Sequence, residues 1–388
     1  EESRLDTVGT DQETERAAVR EKKGQQEKEA GDTETDQAAA AQDELLAELD
    51  FDAIQQEVDS LLSSQQFSFA GTVRSLLQDG DPFRIFRAGN AVLSCAKTAF
   101  LAQKGLMKEL FLLVLAGAVL GSFSSLFEGK QVRDASFYMV YVLALALILK
   151  NFQSSGENLK AVITSLVAFM RILTPSYYLA AAAAGGASSA VMFYQMLLLV
   201  ILAVEKLLLA LVLPMIHIYL LIALVNDLSG EEILSHMTEL LETCVNGLLK
   251  SSLGVLVGMQ MIRNLIAPAL DSLRQMALWR TAGMIPGIGN AVNAVTELVA
   301  GSAVLIRNCF GVTAMLVLLA AGMVPAVQLL VSGLSFRLLA AAAQPVSDKR
   351  IAGCLAAAGK GYAMLLRLLL TVEVLFLLTI AILAGTFS

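Results

Sequence analysis

The chain has 388 residues, of which 56% are hydrophobic and 16% charged, with a mean hydropathy of +0.65. Soluble domains carry about 45–50% apolar and about 25% charged residues, so this composition excludes a soluble enzyme, a disulfide scaffold and a fully disordered chain. The formal net charge of -7 is uneven: residues 1–60 sum to -13 and residues 61–388 to +6, with no basic, aromatic-interleaved stripe to neutralise nucleic-acid phosphates.

Residues 1–40 are mostly Glu, Gln, Asp, Lys, Thr and Ala. They have too few large apolar side chains to offset chain entropy, and they read as a disordered acidic tail. Numbering begins at Glu1 rather than Met, and removal of a signal peptide would place this tail outside the cytoplasm.

Residues 41–108 read as amphipathic, interfacial helices. Leu45, Leu46 and Leu49, then Ile54, Val58, Leu61 and Leu62, recur at helical spacing. Asp52 is the expected N-cap, with Gln55 three residues on. Residues 67–108 mix apolar positions with Arg84, Arg87, Lys97, Lys104 and Lys108, a composition suited to a membrane surface.

Residues 109–388 read as a transmembrane domain, making the fold class all-α: a polytopic helical bundle of about seven to eight spans. A spanning helix needs about 20 mostly apolar residues. The candidate segments are 109–127, 136–150, 161–182, 187–213, 251–269, 286–306, 309–333 and 361–384. Residues 215–225, after Pro214, are too short to span alone. Lysine and arginine asymmetry puts 226–250 outside and both 270–285 and 334–360 in the cytoplasm. Alternating eight spans through these loops leaves both termini outside.

Two segments share the pattern Y-x-M-L-L-x-x-x-L-x-V-E, from Tyr194 to Glu205 and from Tyr362 to Glu373. In that topology they run in the same direction, as parallel repeats do in some transport folds. An ionisable group in the bilayer costs several kcal/mol unless it is paired or faces water, so Glu205 and Glu373 are candidates for a polar pathway. Arg171, Arg263, Arg307 and Arg367 are the candidate partners or pathway groups, with Arg337 a further partner. Gly117-x-x-x-Gly121 and Gly254-x-x-x-Gly258 read as helix-packing positions.

Cys95, Cys244, Cys309 and Cys354 form no C-x-x-C pair, and His217 and His236 have no ligand spacing. The cysteines read as small packing residues and the histidines as interface or loop residues. H-E-x-x-H, G-x-S-x-G and P-loop motifs are absent from the sequence, so neither catalytic residue, metal nor cofactor is expected. Energy from ATP would have to come through another subunit.

The C-terminal part carries more specific segments. These are the stretch Ile285, Pro286, Gly287, Ile288, Gly289 onward to Glu297; Leu305 to Asn308; and Gln344, Pro345, Val346, Ser347, Asp348 onward to Ile351. Together they resemble the stage III sporulation protein AE family of endospore-forming bacteria. The resemblance implies a multi-pass component, in the mother-cell membrane around the forespore, of a channel or secretion-like complex needed late in forespore development. It implies partners as well: membrane and ring-forming subunits of the same complex, a separate cytoplasmic ATPase, and a forespore-side membrane protein. The lipid bilayer is the remaining partner, and nucleic acid is not one. The alternative from the residues themselves is an ion-coupled small-molecule permease working through intramembrane glutamates.

Overall fold

The computed structural model describes residues 50–62, 67–79, 88–124, 130–183, 189–229, 234–282, 289–345 and 347–385. They form helices joined by short connections, with no strand among the described residues. Two short helices, α1 (Phe51–Leu61) and α2 (Phe69–Asp79), precede the long ones. Then follow α3 (Ala88–Ser124), α4 (Lys130–Ala183), α5 (Ser189–Leu207), a π-turn (Leu208–Val212) leading directly into α6 (Leu213–Ser229), α7 (Ser235–Ala282), α8 (Gly289–Ala343) and α9 (Lys349–Gly385).

The N-cap of α1 is Asp50, two residues before the expected Asp52: its carboxylate accepts from the Ala53 N–H at 3.1 Å, and Asp52 sits in the first turn. Gln55 joins α1 to α2 instead of closing a capping box. Its Nε2 donates to the Phe67 carbonyl (2.7 Å) and its Oε1 accepts from the Phe69 N–H (2.8 Å). Ile54 and Val58, on the apolar stripe read from the sequence, are fully buried. The expected helical segment at 42–49 lies outside the described residues.

Among the described residues, five apolar helices are long enough to cross a membrane: Tyr138–Tyr177, Leu198–Ser229, Ser235–Met259, Gly301–Ala343 and Lys349–Ala381. The segments 136–150 and 161–182 are parts of one helix, α4, and 286–306 and 309–333 are parts of α8. The polar stretch from Lys150 to Lys160 has no proline, and despite Gly156 it stays helical, presenting Lys150, Gln153, Glu157, Asn158 and Lys160 outward while Phe152 and Leu159 stay inside. Segment 109–127 falls in α3, which also carries the basic stretch before it. At 1.5 Å per residue the 54 residues of α4 extend about 80 Å, well beyond a hydrocarbon core of about 30 Å.

The loops used to set orientation are largely helical too. Residues 235–250 open α7, residues 270–282 close it, and between α8 and α9 only 344–348 lie outside helix. The eight-span alternation therefore does not describe this fold. The parallel arrangement of the two Y-x-M-L-L segments is also overturned. Asp227 packs on Gly353 and Leu220 on Gly361, so α6 and α9 run antiparallel, and α5 continues into α6.

Helix α9 is the most enclosed of the five apolar helices and α7 the least. The tightest pair is α8 with α9, antiparallel: Gly322 faces Glu373, Gly333 faces Tyr362, and Gly359 faces Arg337. A β-carbon on Gly333 would lie 3.2 Å from Tyr362 Cβ, and one on Gly359 would lie 3.2 Å from the Gly333 carbonyl oxygen. Small residues here let the two backbones approach, the usual basis of helix association in lipid. Gly117 serves α3 similarly against Val140, whereas Gly254 and Gly258 face open space.

Candidate functional site

The interior of the α4–α6–α8–α9 bundle contains two polar places. One is centred on Glu373. The sequence makes α9 a nearly continuous apolar helix, so a glutamate on its inner face is carried inside with it. Glu373 is 6% exposed, and neither carboxylate oxygen has a hydrogen-bond partner among the described residues. Room for it comes from Gly322: a β-carbon there would overlap the carboxylate and lie 2.9 Å from Glu373 Cγ. Pro325 sits within α8 a turn further on. It has no N–H to offer the Ala321 carbonyl, so that oxygen, beside Gly322, loses its helical donor.

The second place is built around Tyr362. Its hydroxyl accepts from Asn151 Nδ2 at 2.6 Å and lies 3.2 Å from Ser155 Oγ. The ring stacks on Phe336 (centroids 5.3 Å, planes 16° apart) and meets Phe152 edge-on at 5.2 Å. Phe152 is also edge-on to His217, whose ring fills the space left by Gly156. His217 is thus a packing residue within the bundle, not an interface or loop residue. Ser155 also borders a cavity of about 330 Å³ between α4 and α8, lined by Asn158, Pro325, Gln328 and Ser332 among others. Tyr362→Phe removes the acceptor for Asn151 and is expected to cost about 1–3 kcal/mol, read as a lower midpoint of thermal unfolding in detergent; an unchanged midpoint would show the cluster to be structurally idle.

The other candidate residues are dispersed. Glu205 is held by Arg171 across α4 and α5 at 3.5 Å, the arginine half exposed. Arg367 donates to Asn246 Oδ1 (3.1 Å) and stands 4.0 Å from Glu242 of α7, whose other oxygen pairs with Lys360 at 2.6 Å. Arg307 is 1% exposed, with Tyr177 close enough to act on it electrostatically. Arg263 lies on α7, its side chain outside the described residues. The fold does not bring Arg171, Arg307 or Arg367 to Glu373.

Of the described motif positions, Gly289, Gln344, Pro345 and Asp348 lie at helix ends, while Asn308 lies inside α8. Pro286 and Gly287 lie outside the described residues; Gly289 begins α8, and Asn308 is exposed on it. Gln344 and Pro345 form the turn after α8, where the Gln344 N–H donates to the Ala340 carbonyl. Asp348 caps α9, accepting from the Arg350 N–H at 3.0 Å with its carboxylate and from the Ile351 N–H at 3.0 Å with its carbonyl. Gly322, Asn151, Asn246 and Glu242 escaped the sequence reading. Only a charge-pairing search between helices would have raised Glu242, and nothing in the local pattern marks Gly322.

Among the described residues, no group of His, Cys, Asp and Glu side chains is placed to hold a multidentate metal ion. Cys244, Cys309 and Cys354 are free thiols.

A bundle of long apolar helices with an enclosed central helix and few interior charges defines a multi-pass α-helical membrane protein. The stage III sporulation protein AE family matches residues 67–386, most of the chain and all of the long helices, and the protein belongs to that family. A curated relative, stage III sporulation protein AE of Bacillus subtilis (strain 168), is 22% identical over 291 residues, covering 74% of this chain and 73% of the relative. No solved structure matches the chain.

Proposed function

We propose that the protein is a membrane-embedded, non-catalytic subunit of a channel or secretion-like complex joining mother cell and forespore. It resides in the mother-cell membrane, with its acidic N-terminal tail outside the cytoplasm, and supports late forespore development. Its partners are other membrane and ring-forming subunits, a cytoplasmic ATPase that supplies energy, and a forespore-side membrane protein.

The observation carrying this reading is the family match along residues 67–386, which spans all five long apolar helices. Two physical features favour a role within an assembly. Helices α4 and α8, at about 80 Å each, are well over twice as long as a bilayer crossing of about 30 Å requires, which gives them surface beyond the hydrocarbon. Helix α7 exposes Met237, Leu240, Val255, Val257 and Met261 with Gly254 and Gly258 between them, a face for lipid or a neighbouring helix.

The test is affinity purification of the tagged, full-length protein from sporulating cells. Recovery of ring-forming subunits and an ATPase in stoichiometric amounts is the expected result. Recovery of the protein alone, together with normal spore yield in a deletion strain, would overturn the reading.

A further inference from the structure

We infer that Glu373, Gly322 and the Ala321 carbonyl form a buried site for a monovalent cation, either a proton or an alkali ion. The site stands on the geometry of α8 and α9 and is independent of the proposed role in a complex.

A bare carboxylate in an apolar interior is too costly to persist. It is paired, it coordinates a cation, or it takes up a proton. Pairing is absent among the described residues, since neither Glu373 oxygen has a hydrogen-bond partner. Among the described residues, the charged groups on the packed elements are engaged elsewhere or turned outward. On α9, Arg367 is bound to Asn246 and faces Glu242 of α7. On α4 and α5, Arg171 and Glu205 hold each other, and Lys206 is exposed, as is Lys250 on α7. On α8, Arg307 and Arg337 each lie fifteen residues from Gly322, a separation of about 22 Å along the helix. On α6, Asp227 packs against Gly353, far along α9 from Glu373, and His217 packs against Gly156. On α3, Glu109 is exposed.

The backbone supplies what the side chains do not. Gly322 lets the carboxylate lie against α8, and Pro325 frees the Ala321 carbonyl beside it. The π-turn Leu208–Val212 is a second interruption, between α5 and α6, and it packs mainly on those helices and on α7. There Leu213 N–H bonds to the Leu208 carbonyl, a widened turn that accommodates Pro214. A helix interrupted by proline beside a buried acid, as α8 is at Pro325, is how membrane proteins present carbonyl oxygens to a cation. A proton makes Glu373 a neutral acid with an O–H for a carbonyl acceptor. An alkali ion is neutralised by the carboxylate and takes carbonyl oxygen as a further ligand.

Dicyclohexylcarbodiimide tests the site, because it adds the O–H of a protonated carboxyl across its C=N bond and leaves a stable N-acylurea in apolar surroundings. The full-length protein is reconstituted in vesicles, treated with the reagent, and mapped by peptide mass. Expected is an adduct on Glu373 that forms at least about tenfold faster than on water-exposed acids such as Glu157 and slows as pH rises. Sodium chloride that protects where choline chloride does not assigns an alkali ion; acid-dependent labelling without protection assigns the proton. Glu373→Gln keeps size and neutrality and is expected to fold with an unchanged unfolding midpoint but no adduct. Gly322→Ala keeps the acid and displaces it, and is expected to change the labelling rate about tenfold. An unlabelled Glu373, or labelling no faster than at exposed acids and insensitive to pH and sodium, overturns the inference.

Discussion

Gly322→Val is expected to be strongly destabilising, lowering the stability of the detergent-solubilised protein by about 3 kcal/mol, the upper end for overpacking a filled interior. Already a single β-carbon at this position overlaps the Glu373 carboxylate. The helices cannot slide to make room, because Gly333 against Tyr362 and Gly359 against the Gly333 carbonyl fix the same interface at its next crossing. Displacing the carboxylate accommodates one β-carbon, but valine adds two methyl groups in an interior where Glu373 is nearly fully enclosed. The clash is specific to one partner, so a double-mutant cycle separates it from general loss of packing. Glu373→Ala in the Gly322→Val background is expected to recover much of the lost stability. Simple additivity of the two losses would show that α8 fails for a reason unconnected with Glu373.

The same pair shows what a sequence can and cannot disclose. Glu373 stands out because an acid in the middle of an apolar run is physically anomalous. Its partner does not, because glycine is common in these spans and only a three-dimensional register selects Gly322. Glu205 carries the same local pattern, yet it is paired with Arg171 while Glu373 has no such partner. The repeat of side chains therefore does not extend to a repeat of surroundings. The joining of two candidate spans into α4, and of two more into α8, has a related cause. Hydropathy falls between Lys150 and Lys160, and a window average reads a loop there. The backbone stays helical there because Asn, Gln, Ser, Glu and Lys are tolerated on the exposed side, Phe152, Leu159 and Ile163 pack on the other, and Gly156, costly by itself, is where the His217 ring seats. Once α4 and α8 are single helices, loop charges no longer count alternate crossings. The helical class and the apolar face of α1 were legible because both rest on periodicity. Helix continuity and direction rest on tertiary packing, which periodicity does not encode.

Arg307→Ala is expected to cost about 3–5 kcal/mol, the scale for deleting a large side chain from a filled interior. Arg307 is 1% exposed, is the largest fully buried side chain among the described residues and makes an interaction within the bundle. Truncation leaves a void and removes that interaction. The effect is expected to reach α1 and α2. Phe310, one turn along α8 from Arg307, meets Phe69 edge-on at 5.0 Å, Phe51 at 6.2 Å and Tyr177 at 6.0 Å. Those contacts seat the two short helices on the bundle, so disturbing Arg307 loosens their seat. Limited proteolysis reads this as faster cleavage between α1 and α3, ahead of global unfolding. Phe310→Ala removes the aromatic contacts and leaves the charge, and is expected to cost about 3 kcal/mol with the same cleavage pattern. Arg307→Lys is the discriminating variant. It retains charge but loses the planar array of donors, so a requirement for directed hydrogen bonds leaves it nearly as unstable as alanine. Full recovery by lysine would mean that charge alone is needed at this depth, and wild-type stability in Arg307→Ala would remove the guanidinium from the forces that hold α1 and α2 in place.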